Sequence, residues 1–83
     1  MGETVRMYTL STCGHCKAAK KFMKDHGVAN LCTEVDLLTG DERKVMIEEV
    51  KKYNPACSFP TILIGDRVIV GFNEEAIREA LGI

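Results

Sequence analysis

Two cysteines separated by two residues, Cys13 and Cys16, lie between a strand-like run and a helix-like run. This placement puts a sulfur at the first turn of a helix, where backbone N–H groups have no partners within the helix and the helix dipole adds a fractional positive charge. Both effects stabilise a thiolate. A Cys-x-x-Cys pair in this position is typical of a redox dithiol, and it requires a strand, a turn and a helix in direct succession.

The size and composition of the chain limit the alternatives. Its 83 residues predict one domain spanning 1–83, of which 46% are hydrophobic and 28% charged, as in a globular protein. No apolar run approaches the roughly 20 residues of a membrane span, and a net charge of −1 argues against a nucleic-acid partner. Residues 1–4 are too few and too polar for a secretory signal. With four cysteines, this predicts a reducing, cytoplasmic location.

Hydrophobic periodicity predicts seven elements in the order βαβαββα. The second helix opens with a capping box, Thr39 to Glu42, and ends near Asn54. Gly65-Asp66 is a strong hairpin turn, and Asn73 is a helix cap. The other expected bounds are strands over 5–9, 31–37, 61–64 and 67–70, a first helix over 14–26 that stops at Gly27, and a last helix that starts after residue 73.

This order of elements predicts an α/β architecture. The first βαβ unit requires two parallel strands, and the hairpin adds two antiparallel ones, so the sheet is four-stranded and mixed with helices on both faces. Side chains recur at helical spacing in each helix. One stripe of the first helix contains Ala19, Phe22, Met23 and His26, of which His26 is expected to complete the end of the helix; one face of the second contains Met46, Val50 and Tyr53; the core-facing side of the third contains Ala76, Ile77, Ala80 and Leu81.

Three segments resemble the glutaredoxin branch of the thioredoxin superfamily: residues 8–16 around the dithiol, Ser58-Phe59-Pro60-Thr61, and residues 71–75 before the last helix. The resemblance runs over nearly the whole chain. It implies the thioredoxin/glutaredoxin-like three-layer fold, a four-stranded mixed sheet flanked by three helices, and thiol–disulfide oxidoreductase activity. It also implies a cis Phe59-Pro60 bond that faces the dithiol and leaves the Phe59 backbone available to an extended substrate.

The dithiol chemistry assigns a role to each residue of the motif. Cys13 at the helix start is the expected exposed nucleophile, and Cys16 one turn later the resolving thiol. Between them lie Gly14 and His15, and a partly protonated His15 imidazole would stabilise the thiolate, making the disulfide more oxidising than thioredoxin at about −270 mV. The opposing interpretation is that His15 is a solvated loop residue without influence.

The resemblance also suggests contacts for a co-substrate. Phe59, Gly71, Asn73 and Glu74 occupy the positions of substrate contacts, and the last two those that hold the γ-glutamyl carboxylate of glutathione in the family. Many glutaredoxins carry a lysine where this chain has Leu10, which removes a charge-assisted contact. We therefore expect disulfide-containing proteins as substrates, glutathione or a protein reductase as electron donor, no tightly bound cofactor, and a monomer.

Other interpretations remain open at this point. Cys13 and Cys16 could bind zinc, or Cys13 could hold an iron–sulfur cluster shared between two chains, so that the protein is a metal carrier. Cys57 is either a third, regulatory thiol or a packing residue, and Cys32 is expected in the core or half-buried. The lysines of 17–24 either steer an acidic partner or form a solvated helix face.

Overall fold

The computed structural model describes residues 4–83. Residues 1–3, part of the segment predicted not to be a secretory signal, lie outside this range. The described residues form four strands and three α-helices: β1 Val5–Thr9, α1 Gly14–Asp25, β2 Leu31–Glu34, α2 Gly40–Tyr53, β3 Thr61–Ile64, β4 Arg67–Val70 and α3 Glu74–Leu81. This confirms the predicted order. Within residues 4–83, no helix has the length and apolar character that crossing a membrane requires.

The four strands form one mixed sheet in the order β2-β1-β3-β4. β1 pairs with β2 in parallel, and β3 pairs with both β1 and β4 in antiparallel fashion. Near the end of β1, Tyr8 lies opposite Thr61, the first residue of β3. The loop that follows β1 and the loop that precedes β3 therefore meet at the same end of the strands. These loops carry the dithiol and Phe59-Pro60.

Alternation along β1 divides the core into two clusters, because successive strand residues face opposite sides of a sheet. Met7 belongs to the cluster that includes residues of α1 and α3, whereas Tyr8 belongs to the cluster under α2. This confirms the three-layer fold. The first cluster contains Val5, Met7, Ala19, Phe22, Met23, Ile62, Ile64, Ile69 and Ile77; the second contains Tyr8, Val35, Val50 and Leu63.

The predicted strand over 31–37 is too long. β2 ends at Glu34, and Val35–Leu37 form a 3-10 turn that buries Val35 under α2. The turn also brings the Asp36 carboxylate to the loop after β1, where it accepts hydrogen bonds from Ser11. This contact joins residues 25 positions apart, so the local alternation of side chains does not reveal it.

Several local predictions are wrong in detail. Thr39 is the cap residue of α2, but its side chain makes no capping hydrogen bond, because Gly40 has a φ of +61° and turns the backbone out of the capping geometry. Tyr53, expected on the same helix face as Val50, ends α2 and is 38% exposed, whereas Val50 is buried. By contrast, His26 does complete the end of α1, as expected: it is the C-terminal cap residue after Asp25, is exposed, and stacks on Phe22 at 4.1 Å.

Cys32 is also exposed, against the expectation that it lies in the core or half-buried. Its strand, β2, is an edge strand of the sheet and, among the described residues, pairs only with β1. The Cys32 sulfur lies 3.3 Å from the Thr9 hydroxyl on the neighbouring strand.

Candidate active site

The sulfur of Cys13 caps the first turn of α1. β1 is followed by a tight turn in which the Cys13 N–H donates to the Leu10 carbonyl at 3.2 Å. The backbone of Cys13 is extended, with a φ of −86°, as expected of a cap residue. Its Sγ then accepts the otherwise unpaired N–H of Cys16 at 3.3 Å. The sequence therefore places this sulfur where helix amides stabilise an anion.

The pKa of Cys13 is lowered from that of an ordinary thiol. The largest cause is a hydrogen bond from the Cys16 thiol, and the backbone N–H groups of Cys16 and His15 act in the same direction. The ammonium of Lys20 contributes a weaker attraction, although it is also paired with the Glu34 carboxylate. Cys13 is half-buried, so the thiolate that these contacts favour is accessible to a substrate.

Cys16 has the opposite environment. Its side chain is completely buried, and this burial, together with the hydrogen bond to Cys13, raises the pKa of the Cys16 thiol to about 11. The Leu10 N–H, 3.5 Å from the sulfur, opposes the rise. Two cysteines three positions apart thus divide into an accessible sulfur that favours the thiolate and a buried one that keeps its proton.

The two residues between the cysteines are both exposed. Among residues 4–83, the His15 imidazole has no hydrogen-bond partner, and the part of His15 that stabilises the Cys13 thiolate is its backbone N–H. Gly14 begins α1 with no atom near the position that a Cβ would take. The approach to Cys13 from this side is therefore open, and an influence of the imidazole on the redox potential stays a prediction.

The loop before β3 faces the dithiol. The Phe59-Pro60 bond is cis, which confirms the expectation from the resemblance. The Phe59 carbonyl oxygen lies 4.0 Å from Cys13 Sγ, although the two residues are 46 positions apart. On the other side of the loop, the Gly71 N–H donates to the Pro60 carbonyl at 2.8 Å, with Gly71 at a φ of +79°. Cys13, Phe59, Pro60 and Gly71 are thus brought together.

The side chains of Asn73 and Glu74 make hydrogen bonds within α3. Asn73 is the cap residue, as predicted, and its Oδ1 accepts the Ala76 N–H at 3.1 Å. The Glu74 carboxylate accepts a hydrogen bond from Arg78 Nε at 3.0 Å. The first turn of α3 therefore already carries a carboxylate, which complements the helix dipole. Their role in binding a substrate stays a prediction.

Two polar contacts beside the dithiol were missed by the sequence analysis. Ser11, two residues before Cys13, donates its backbone N–H to Asp36 Oδ1 at 2.9 Å and its hydroxyl to the other carboxylate oxygen. Both bonds hold the pKa of Asp36 below its ordinary value, with the hydroxyl the larger cause. The alternation of residues 31–37 predicts a strand that includes Asp36, and no local pattern indicates that this carboxylate contacts Ser11.

Asn54 forms the second missed contact. Its side chain is buried, and its Nδ2 lies within hydrogen-bond distance of Ser58 and Thr61, which flank Phe59-Pro60. In the sequence, Asn54-Pro55 indicates only the end of a helix. Hydroxyl residues on both sides of Phe59-Pro60 were the one available sign that this loop needs a polar partner.

The remaining candidates lie around this centre. Cys57 is half-buried with a φ of +51°, and it packs with Phe59 against the cluster under α2. Lys17, Lys21 and Lys24 are exposed on α1, where Lys21 pairs with Asp25 at 2.9 Å. All four cysteines are thiols. In the described part of the chain, no three His, Cys, Asp or Glu side chains are grouped as ligands of a metal ion.

Known proteins with similar sequences and structures agree on one family. The family model described as Glutaredoxin matches residues 5–69. An uncharacterized glutaredoxin-like 8.6 kDa protein in the rubredoxin operon of Clostridium pasteurianum is 30% identical over 77 residues, which are 93% of this chain and 96% of that protein.

Two solved structures from archaea superpose closely. Methanoredoxin of Methanosarcina acetivorans has a TM-score of 0.93 and 45% identity, covering 98% of this chain and 86% of that one. A glutaredoxin of Methanosarcina mazei has a TM-score of 0.89 and 46% identity, covering 100% of this chain and 84% of that one.

Proposed function

The chain belongs to the glutaredoxin family, and from this premise we propose that it is a thiol–disulfide oxidoreductase that cycles Cys13 and Cys16 between dithiol and disulfide. The family and the fold support a function of this general kind. The observation that carries the specific proposal is the contrast between the two sulfurs. Cys13 is an accessible helix cap with a lowered pKa whose Sγ accepts the Cys16 backbone N–H, whereas the Cys16 thiol is buried with a raised pKa.

The proposed reaction proceeds in two exchanges. The Cys13 thiolate attacks one sulfur of a substrate disulfide, the substrate S–S bond breaks, and the leaving thiolate takes up a proton. Cys16 then loses its proton and attacks Cys13 in the resulting mixed disulfide, which releases the second substrate thiol and leaves a Cys13–Cys16 disulfide. The substrate has gained two electrons and two protons. A dithiol or two thiols of the electron donor restore the protein by the reverse exchanges.

The lowered pKa of Cys13 helps more when Cys13 is the leaving sulfur than when it attacks a disulfide. A lower pKa increases the thiolate fraction but decreases the intrinsic nucleophilicity, so attack gains only modestly. In the return reaction, the donor first forms a mixed disulfide with Cys13. Cys13 is then the leaving sulfur when a second donor thiol attacks the donor sulfur of that bond, and a sulfur of low pKa leaves faster. Cys13 is therefore suited to be both the entering and the leaving sulfur.

For the substrate class, we propose disulfide-containing proteins, with glutathione or a protein reductase as electron donor and no nucleic-acid or membrane partner. An apolar Leu10 lies beside the dithiol, packed against the cluster under α2. The acidic first turn of α3, with Glu74 and Glu75, weakens the attraction of that helix for a glutathione carboxylate. We also propose a cytoplasmic location, since cysteine thiols such as the four of this chain are characteristic of reducing compartments.

Single serine variants test this proposal. We expect Cys13→Ser to abolish turnover of both a protein disulfide and a mixed disulfide between glutathione and a small thiol. Cys16→Ser should lose the protein disulfide, and retained turnover of the mixed disulfide would indicate a monothiol route with glutathione. Cys32→Ser is the matched control, since Cys32 is an exposed cysteine on the edge strand, and it should keep both activities. Activity in Cys13→Ser would overturn the proposal.

A further inference from the structure

We propose that Asn54 is a positioning residue that fixes the Phe59 carbonyl against Cys13 and thereby sets how well the protein accepts an extended polypeptide disulfide. This inference rests on the proposed function. It concerns the segment 58–61, which faces the dithiol and whose Phe59 oxygen lies 4.0 Å from Cys13 Sγ. Any polypeptide bound at Cys13 must pass this carbonyl, so its position affects the geometry of attack.

The Asn54 amide binds the segment on both sides of Phe59-Pro60. Its Nδ2 lies 3.1 Å from the Ser58 carbonyl oxygen, 3.0 Å from the Ser58 hydroxyl and 3.2 Å from the Thr61 hydroxyl. The Thr61 hydroxyl in turn donates to the Ser58 carbonyl at 2.8 Å. Because the amide has only two hydrogens for three partners, at least one hydrogen is shared, and the group forms one connected network.

The backbone of Asn54 adds two further contacts. Its N–H donates to the Val50 carbonyl at 2.8 Å, and its carbonyl accepts the Cys57 N–H at 2.8 Å. Val50 is completely buried in the cluster under α2, so the end of the helix is held in the core. Asn54 therefore connects a packed helix to the loop that presents Phe59, and the side chain is only 4% exposed.

These contacts do not include the reactive sulfur. The hydrogen bonds and the charge that lower the pKa of Cys13 come from Cys16, His15 and Lys20, all of which lie in α1. Loss of the Asn54 amide should therefore move the loop without changing the thiolate. The expected signature is a higher KM for a polypeptide disulfide, while the alkylation rate of Cys13 stays the same. Loss of a residue that only stabilises the fold would not raise KM for the polypeptide while leaving the alkylation rate of Cys13 unchanged.

The chemistry of the network distinguishes two substitutions. Asn54→Ala removes the donor and leaves the Thr61–Ser58 bond in place. Asn54→Asp keeps the shape but replaces the donor with an anionic acceptor that faces the Ser58 carbonyl oxygen, which it repels. We therefore expect Asn54→Asp to disturb the loop more than Asn54→Ala.

The experiment compares two substrates and one control variant. The substrates are an unfolded polypeptide with a single disulfide and the mixed disulfide of glutathione with a small thiol. The control is Val5→Ala, which truncates a buried side chain at the far end of β1 from the dithiol. Steady-state kinetics and the rate of Cys13 alkylation are measured at a temperature at which every variant is fully folded.

For Asn54→Ala we expect kcat/KM for the polypeptide disulfide to fall about tenfold because KM rises. The kcat/KM for the small mixed disulfide and the alkylation rate of Cys13 should each change by less than about twofold. An equal fall in Val5→Ala, an equal fall on both substrates, or unchanged kinetics would overturn the inference. If Asn54→Ala does not fold, Thr61→Val removes one hydroxyl of the network and should shift KM in the same direction. A wild-type protein that reduces neither substrate refutes the proposed function instead.

Discussion

The hydrogen bond from the Cys16 thiol to Cys13 predicts that a Cys16→Ala variant is alkylated at Cys13 more slowly than wild type in acid and faster in alkali. Cys16→Ala removes the thiol that is the largest cause of the lowered pKa of Cys13. The backbone N–H groups of residues 15 and 16 remain, so the pKa of Cys13 should rise without reaching that of an unperturbed thiol. Cys16→Ser is the matched control, since its hydroxyl can donate the same bond.

The magnitude follows from the energy of such a bond. A hydrogen bond to a charged group contributes about 1.5–3 kcal/mol, and we take the lower end because Cys13 is half-exposed and partly screened by water. That energy corresponds to about tenfold less thiolate at acidic pH. The thiolate that remains is about threefold more nucleophilic, because nucleophilicity rises with the pKa. Alkylation of Cys16→Ala should therefore be about threefold slower in acid and about threefold faster in alkali than in wild type.

The assay is the rate of alkylation of Cys13 by iodoacetamide across a pH range, followed by the mass of the intact reduced protein. A background with Cys32→Ser and Cys57→Ser confines the reaction to the dithiol. We expect the rate profiles of wild type and Cys16→Ala to cross, and that of Cys16→Ser to lie between them. Parallel profiles, or equal rates in acid, would refute the view that the Cys16 thiol stabilises the Cys13 thiolate.

Two further predictions concern stability and pH. The pKa of Asp36 is lowered from 3.8, so its carboxylate stabilises the folded state above that pH and loses this effect as the pH falls through the lower folded value. The difference in Tm between wild type and Asp36→Asn should thus be constant near neutral pH and vanish in strong acid; a difference that persists there contradicts the role of Ser11. For Cys16, the pKa is raised from 9.0 to about 11, so the buried thiol stabilises the reduced protein below pH 9 and this contribution is lost as the pH rises through 11. Denaturant unfolding should show wild type losing about 2–3 kcal/mol relative to Cys16→Ala over that range, and a constant gap would argue that Cys16 is not desolvated.

The sequence by itself determined the elements and their order. Side chains at spacings of two and of three to four residues repeat within each element, so the strands and helices follow from neighbours in the chain. Turn and cap residues have the same local origin: Gly27 has a φ of +64° after α1, and Asn73 caps α3 as its position predicted. Cys13 also belongs here, because a helix start is a local feature and its unpaired amides come from the next residues of the chain.

The tertiary structure alone decided how deeply Cys16 is buried and which distant residues contact the site. The motif predicted an accessible Cys13, but the complete burial of Cys16 and its raised pKa depend on what the sheet and the other helices cover. The contact between Ser11 and Asp36 joins residues 25 apart, and that between Cys13 and Phe59 residues 46 apart. Such pairs exist only because β1 lies between β2 and β3, which brings one end of each of these three strands together. The reactive residues could therefore be identified from local pattern, whereas the burial and long-range hydrogen bonds that set their properties arise only when the chain is folded.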